Sequence, residues 1–247
     1  YAGGCNLGAK SAKKKYLLFL NNDTIQNKNW LEPLITKLEG NNNISSVQPK
    51  ILNYFNKQNF DYAGGSGGYL DIFIYPFSRG RVFDTIEQDN GQYEDSTRIF
   101  WASGTGFITR KSIFESVGGF DETLFAHMEE IDYHWRCHLM GHSVWVEPKS
   151  YIYHMGGSTL AYNSSKKTYL NHRNSLLLLL TNYSFLLSIY LLLPRLVMEI
   201  ISLFKYLFTF KINHFWAQIK ALIWIIFHPH TIIRRRLQAW KLRRVKD

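Results

Sequence analysis

An α/β domain followed by a helical appendage is the fold class that three features of this 247-residue chain predict. Over residues 7–54, apolar runs of strand length alternate with segments at helical spacing, the order expected of an α/β domain. A stretch rich in Gly, Asp and Ser, residues 61–98, then interrupts that order. From about residue 169 the sequence becomes apolar and helical and ends in a basic tail. Hydrophobic residues make up 46% and aromatics 16%, which excludes bulk disorder and supplies a sizeable core.

Taken in order, residues 7–15 predict a short helix ending at Lys13-Lys14-Lys15. Tyr16-Leu17-Leu18-Phe19-Leu20 is continuous and apolar, as in a buried parallel strand. It stops at "NNDT". In "NKNWLEPLITKLEG", Trp30, Leu31, Leu34, Ile35 and Leu38 fall on one helix face, and Gly40 ends it. "SSVQPKILNY" predicts the next strand. The 61–98 stretch, with "YAGGSGGYLD", "SRGRVFD" and "QDNGQYED", reads as a long excursion with hairpin turns. The strand "RIFWASG" and the segment "TGFITRKSIFESVGGFDE" restore regular structure. A helix in "LFAHMEEIDYHWRCHLM", a turn at Gly141 and the strand "SVWVEP" complete the domain.

The appendage opens with "SLLLLLTNYSFLLSIYLLLP", uncharged throughout and closed by Pro194. Its length suits a bilayer span, but Thr181, Asn182, Tyr183, Ser184 and Ser188 weaken it. The following apolar stretch is punctuated by Glu199, Lys205, Lys211 and Lys220. Interfacial or hairpin membrane helices are favoured over a true span or a soluble helical cap. The formal net charge is +10, and "IIRRRLQAWKLRRVKD" alone carries seven Lys/Arg against one acid. The excess is therefore largely C-terminal. It fits the anionic inner leaflet of a membrane better than a nucleic acid. Two cysteines, Cys5 and Cys137, make neither a disulfide framework nor a metal-binding pair. With no signal-peptide pattern at the start, a cytoplasmic setting is expected, peripheral or monotopic on the inner face of the plasma membrane. The sequon at Asn163 is the kind an Asn-rich chain produces by chance.

Four local features bear on chemistry, and each alone has a plainer reading. Asp23, flanked by Asn21 and Asn22, follows a strand end, where α/β sheets bind ligands. It suits a hard divalent ion, or simply an Asx turn. Glu129, Glu130 and Asp132 crowd three acids into a helix start. Crowded carboxylates raise one another's pKa, as a general base needs, but acids also favour a helix N-terminus. His154 follows an apolar strand and precedes two glycines and two hydroxyls, as a metal ligand or a turn histidine. In "WASGTGFITR", Gly104 and Gly106 allow close backbone approach to a ligand or tight packing.

In this order the four features resemble the family 2 glycosyltransferases with the GT-A fold, and within them the rhamnosyltransferase-like branch. The matching text is "GGCNLGAK", "YLLFLNNDT", "SGTGFITRKSIFESVGGFDETLFAHMEEIDYHWRCHLMGHSVWVEP" and "YHMGGST". "YLNHRNSLLLLLTNY" resembles the segment that follows the catalytic domain in this branch. The resemblance covers about residues 1–183. It implies an inverting transfer of a sugar, rhamnose foremost, from a dTDP- or UDP-linked donor to a glycan or lipid-linked acceptor, in cell-surface polysaccharide synthesis. It places Asp23 and His154 on a Mg²⁺ or Mn²⁺ ion. Asn21 stands where the first acid of the metal motif falls. Asn6, Asn22, Asp23, Ser103, Gly104 and Thr105 fall on the donor side. Glu130 stands at the catalytic base, with Glu129 and Asp132 beside it. A partial GT-A domain is expected over 1–168 and a membrane-associating region over 169–247. The opening "YAGGCNLGAK" reads like the interior of a domain, so an upstream part of the nucleotide pocket is expected to be missing. A non-catalytic, degenerate relative that binds at membranes is the alternative. A processive synthase is disfavoured by the lack of a QxxRW motif.

Overall fold

The computed structural model describes residues 1–82, 85–156 and 164–246. Gly157, Ser158 and Thr159 of the "YHMGGST" motif, and the sequon asparagine, lie outside the described residues. The first helix, α1 (Ala2–Ser11), begins earlier than residues 7–15, and the three lysines lie beyond it, leading into β1 (Tyr16–Leu20). Next come β2 (Thr24–Gln26), α2 (Leu31–Glu39) and β3 (Ile44–Asn53). The excursion contains β4 (Gly68–Leu70), β5 (Pro76–Ser78), β6 (Arg81–Val82) and β7 (Thr85–Ile86). β8 (Thr97–Ile99), β9 (Gly106–Arg110), α3 (Lys111–Ser116), α4 (Glu129–Leu139) and β10 (Ser143–His154) return to the main body.

The main sheet has the order β1-β9-β3-β10-β2, with β8 also paired to β10. β1 is not a central parallel strand. It pairs antiparallel with β9 and is an edge of the described sheet. Leu17 and Phe19 point into the core while Leu18 and Leu20 remain exposed. An apolar run of five cannot tell one buried face from two. β9 is also antiparallel to β3, and β3 is parallel to β10, so β1, β3 and β10 run the same way. Their C-terminal ends, and the start of β9, therefore share one rim of the sheet. The excursion folds as a four-stranded antiparallel sheet, β4-β5-β6-β7, in keeping with its Gly- and Asp-rich turns.

Phe19, Phe107, Phe114, Phe120 and Tyr133 pack an aromatic core on one face of the main sheet. On another cluster, Leu34 and Leu38 of α2 pack against Ile44, Val47 and Ile108. The appendage comprises α5 (Ser165–Asn182), α6 (Phe185–Phe208), α7 (Ile212–Phe227) and α8 (Pro229–Leu242). The uncharged run that begins at Ser175 is thus two helices, broken at Tyr183-Ser184. Leu176 to Leu179 are at most 1% exposed, and three of them pack with Trp101, Ile131 and Trp135. That half of the run serves the protein core.

Candidate active site

Three loops meet at the rim. The turn after β1 is tied to the turn before β9 by the Asn21 N–H, which donates to the Thr105 carbonyl at 2.9 Å. β2 then pairs with the end of β10, opposing Thr24 to His154, and the Met155 N–H donates to the Asp23 carbonyl at 3.0 Å. This brings Asp23 Oδ1 to 3.3 Å from His154 Nε2.

Asp61 completes this group, and the sequence reading missed it. Its Oδ1 lies 3.1 Å from His154 Nδ1, and its Oδ2 accepts from the Ala63 N–H at 2.8 Å. Asp61 is 2% exposed and His154 6%. A lone acid in a Gly-rich loop has no periodic signature. Only the bridge between Phe60 and Leu52 in β3 brings it level with His154 in β10. Burial works to lower the His154 pKa, but Asp61 and Asp23 outweigh it and the pKa is raised. An imidazole that donates from Nδ1 to a carboxylate presents Nε2 outward, the arrangement of many metal-ligating histidines. Among the described residues no group of three His, Cys, Asp or Glu gathers to hold a metal. Asp23 and His154 fit an ion that takes its remaining ligands from phosphate oxygens and water, as Mg²⁺ commonly does.

The turn Ser103-Gly104-Thr105 is built rigidly. Gln48 Oε1 accepts from the Ser103 N–H at 2.8 Å, and Ser103 Oγ donates to the Ala63 carbonyl at 2.5 Å. Gly64, with φ +116°, lies so close that a Cβ there would stand 2.5 Å from Ser103 Cβ. Gly104 faces the acids: a Cβ there would lie 4.0 Å from the Glu130 carboxyl. Tyr1 Oη donates to the Gly104 carbonyl at 3.2 Å.

The acids sit in the first turn of α4. Phe125, His127 and Met128 just before it all have φ between 64° and 71°, a conformation costly for non-glycine residues and concentrated at functional sites. Two residues of α5 hold it there. Asn174 Nδ2 is shared among the carbonyls of Leu124, Ala126 and His127 at 2.7–3.1 Å. Arg173 donates to the carbonyls of Thr123 and Leu124. The matching "RN" text signalled these residues but not their task.

Burial raises the Glu130 carboxyl to about 7, against the opposing backbone N–H groups of Glu130 and Ile131. Glu129 is also pushed up, by burial first and by Glu130 second. Oε2 of each is buried without a hydrogen-bond partner among the described residues.

Asp132, grouped with these acids in the sequence, is set apart by the structure. It is fully buried. Its Oδ2 accepts from Arg136 Nε at 2.9 Å, and its Oδ1 from Arg235 at 2.7 Å and from Asn182 at 3.1 Å. Burial works to raise its pKa, and Arg136 and Arg235 hold it below the usual carboxylate range. Helical geometry explains the split: Asp132 lies two residues beyond Glu130 and so on another face. Asn6 is likewise occupied. Its amide donates to the Phe120 carbonyl and Glu122 and accepts from the Phe120 N–H, which pins α1 to the "GGFDE" turn. Asn22 is exposed beside Asp23.

A mixed sheet with an acid, a histidine and a Gly-rich turn converging at one rim, beside a carboxylate at a helix start, is the arrangement of a GT-A fold. The sequence model of glycosyl transferase family 2 matches residues 1–118. That segment, just under half of the chain, is similar to the family 2 glycosyltransferases. It is 31% identical over 118 residues to the O-antigen biosynthesis protein RfbC of Myxococcus xanthus, covering 47% of this chain and 9% of that protein. It is 32% identical over 93 residues to an N-acetylglucosaminyl-diphospho-decaprenol L-rhamnosyltransferase of Mycobacterium tuberculosis, covering 37% of this chain and 30% of that one. The chain thus spans less than a third of either relative. A solved structure of GalNAc-T7 with UDP, GalNAc and Mn²⁺ has a TM-score of 0.50 at 17% identity, over 68% of this chain and 32% of that one. That likeness supports the fold.

Proposed function

We propose that the protein takes part in transfer of a sugar, rhamnose foremost, from a dTDP- or UDP-linked donor to a hydroxyl of a glycan or lipid-linked acceptor in surface polysaccharide synthesis. The observation that carries this reading is the Glu130 carboxyl facing the Gly104 turn, its Oε2 buried with no hydrogen-bond partner among the described residues, on the rim where Asp23 meets His154. Asp23 and His154 would hold Mg²⁺ or Mn²⁺, and Asp61 would orient the imidazole. That ion, when bound, supplies positive charge to the departing diphosphate. The Ser103–Thr105 backbone and Asn22 lie where they would contact the donor. Asn6 and Asp132 act by positioning the elements around them. Glu130 takes the proton of the acceptor hydroxyl as its oxygen bonds to the anomeric carbon. The bond from that carbon to the diphosphate breaks on the opposite face, so configuration inverts. A carboxyl that titrates near neutrality suits this task. The excursion over 61–98 would help shape the acceptor side. Residues 1–168 would form the partial catalytic domain and 169–247 the helical region, in the cytoplasm.

Calorimetric titration of Mn²⁺ with UDP or dTDP present tests the site. Loss of binding in both Asp23→Ala and His154→Ala is expected; binding retained in both overturns the metal assignment. Glu130→Gln should keep that binding and abolish turnover by the longest reading frame that contains the chain.

A further inference from the structure

We propose that α6 and α7 seat the protein in the plane of an anionic lipid bilayer, with α6 lying along the surface rather than crossing it. α6 is 24 residues long and apolar enough by length and composition to span. Its two faces argue against that. Leu186, Ile189, Tyr190, Leu193, Val197, Ile200, Phe204 and Phe208, each between 50% and 81% exposed, recur at three- and four-residue spacing. They form one apolar stripe along the whole helix. The opposite face carries Ser188, Leu191, Arg195 and Glu199, each at most 4% exposed.

That buried face is committed to protein. Arg195 pairs with Glu199 at 2.7 Å and donates to Ser175 in α5 at 2.8 Å and to the Phe73 carbonyl. Glu199 also meets His172 of α5 at 2.6 Å and Gln218 of α7 at 2.5 Å. A crossing helix would have to break this network or carry it into hydrocarbon, where an ion pair is costly. A helix lying at the interface keeps it and buries only the stripe.

The stripe continues past the end of α6. Phe208, Phe210 and Ile212 at the turn are 75%, 87% and 44% exposed, and Trp216, Ile223 and Phe227 extend an exposed line along α7. The charges nearby have one sign. Between residues 184 and 246 Glu199 is the only acid, and it is buried. Lys205, Lys211, Lys220, Arg234 and Lys241 in the same region are exposed. An apolar line rimmed by unopposed cations complements anionic headgroups over acyl chains. A second copy of the chain would bring the same positive charges against its own, so self-association is disfavoured.

Flotation of the full chain with vesicles tests this. Vesicles of phosphatidylcholine with about 30% phosphatidylglycerol, a composition in the range of anionic leaflets, are compared with phosphatidylcholine alone. Binding to the anionic vesicles is expected, at least tenfold weaker to the neutral ones. The double variant Leu193→Glu/Ile200→Glu should reduce it at least tenfold with an unchanged circular dichroism spectrum. Lys205→Glu/Lys220→Glu should remove the preference for anionic lipid. A tryptophan placed by Val197→Trp at the middle of α6, a helix that has none of its own, should be quenched more by lipids brominated near the headgroup than by lipids brominated near the chain ends. A soluble dimer that ignores vesicles overturns the proposal. So does vesicle binding indifferent to the Leu193/Ile200 variant, and quenching strongest at the bilayer centre would mean that α6 crosses. None of these outcomes bears on the metal titration above, so the two readings fail separately.

Discussion

Glu130→Gln separates a catalytic carboxyl from a structural one because the two roles predict opposite effects on stability. The wild-type group is lifted from its ordinary 4.5 to about 7 by burial. A raised carboxylate pKa means that the folded chain holds a proton the unfolded chain has lost. Stability from this group is therefore full below about pH 4.5 and declines as pH rises toward 7. The loss above pH 7 is about 3 kcal/mol if solvent is excluded entirely. Glu130 keeps partial exposure, so roughly half of that, ~1.5 kcal/mol, is the better figure. Gln fills the same space without ionising. Glu130→Gln should match wild type at pH 4.5 and melt roughly 3–6 °C higher at pH 8. In turnover, loss of a general base should cost on the order of 10² to 10⁴ in rate, with nucleotide and Mn²⁺ binding intact. Thermal melts across pH 4.5–8 by circular dichroism, beside calorimetry, read both. A variant less stable than wild type at pH 8, or one that has lost Mn²⁺ binding, would refute the placement of Glu130 as a partly buried catalytic base.

Asp61→Asn should weaken Mn²⁺ binding about 10–100-fold, because His154 loses the carboxylate that orients it; calorimetry with UDP or dTDP present measures this. Asn174→Ala should cost on the order of 2 kcal/mol in urea denaturation, since it orphans carbonyls of the strained turn. It should also reduce turnover by displacing Glu129 and Glu130. Asp132→Asn should cost about 3–5 kcal/mol by leaving the buried Arg136 without its carboxylate and Arg235 with Asp121 alone. Because the Asp132 pKa is lowered on folding, its stabilisation is present above the ordinary carboxylate range and lost as pH falls through the folded value. The variant should accordingly show a flatter acid limb when ellipticity is followed from pH 6 down to pH 2.

Some of the site was legible because its signal is local. Asp23 at a strand end and a Gly-rich turn before β9 are each set by a few neighbouring residues. So was the α/β order, which rests on periodicity. Asp61 was not legible, since its partner is 93 positions away. That Asp132 is taken up by Arg136 and Arg235 was not legible either, since Arg235 lies 103 positions away in α8.

The sequence by itself determined the likeness to family 2 glycosyltransferases over residues 1–118 and the alternation of strands and helices, because each depends on short-range pattern. Tertiary structure alone decided three further matters. β1 was paired antiparallel with β9, since an apolar run carries no record of its neighbour's direction. The uncharged run at 175–194 was divided between the core and the surface, since hydropathy does not distinguish a protein interior from a lipid one. Arg195 and Glu199 were turned inward, four residues apart on one helix, which leaves the long apolar stripe of α6 on the outside.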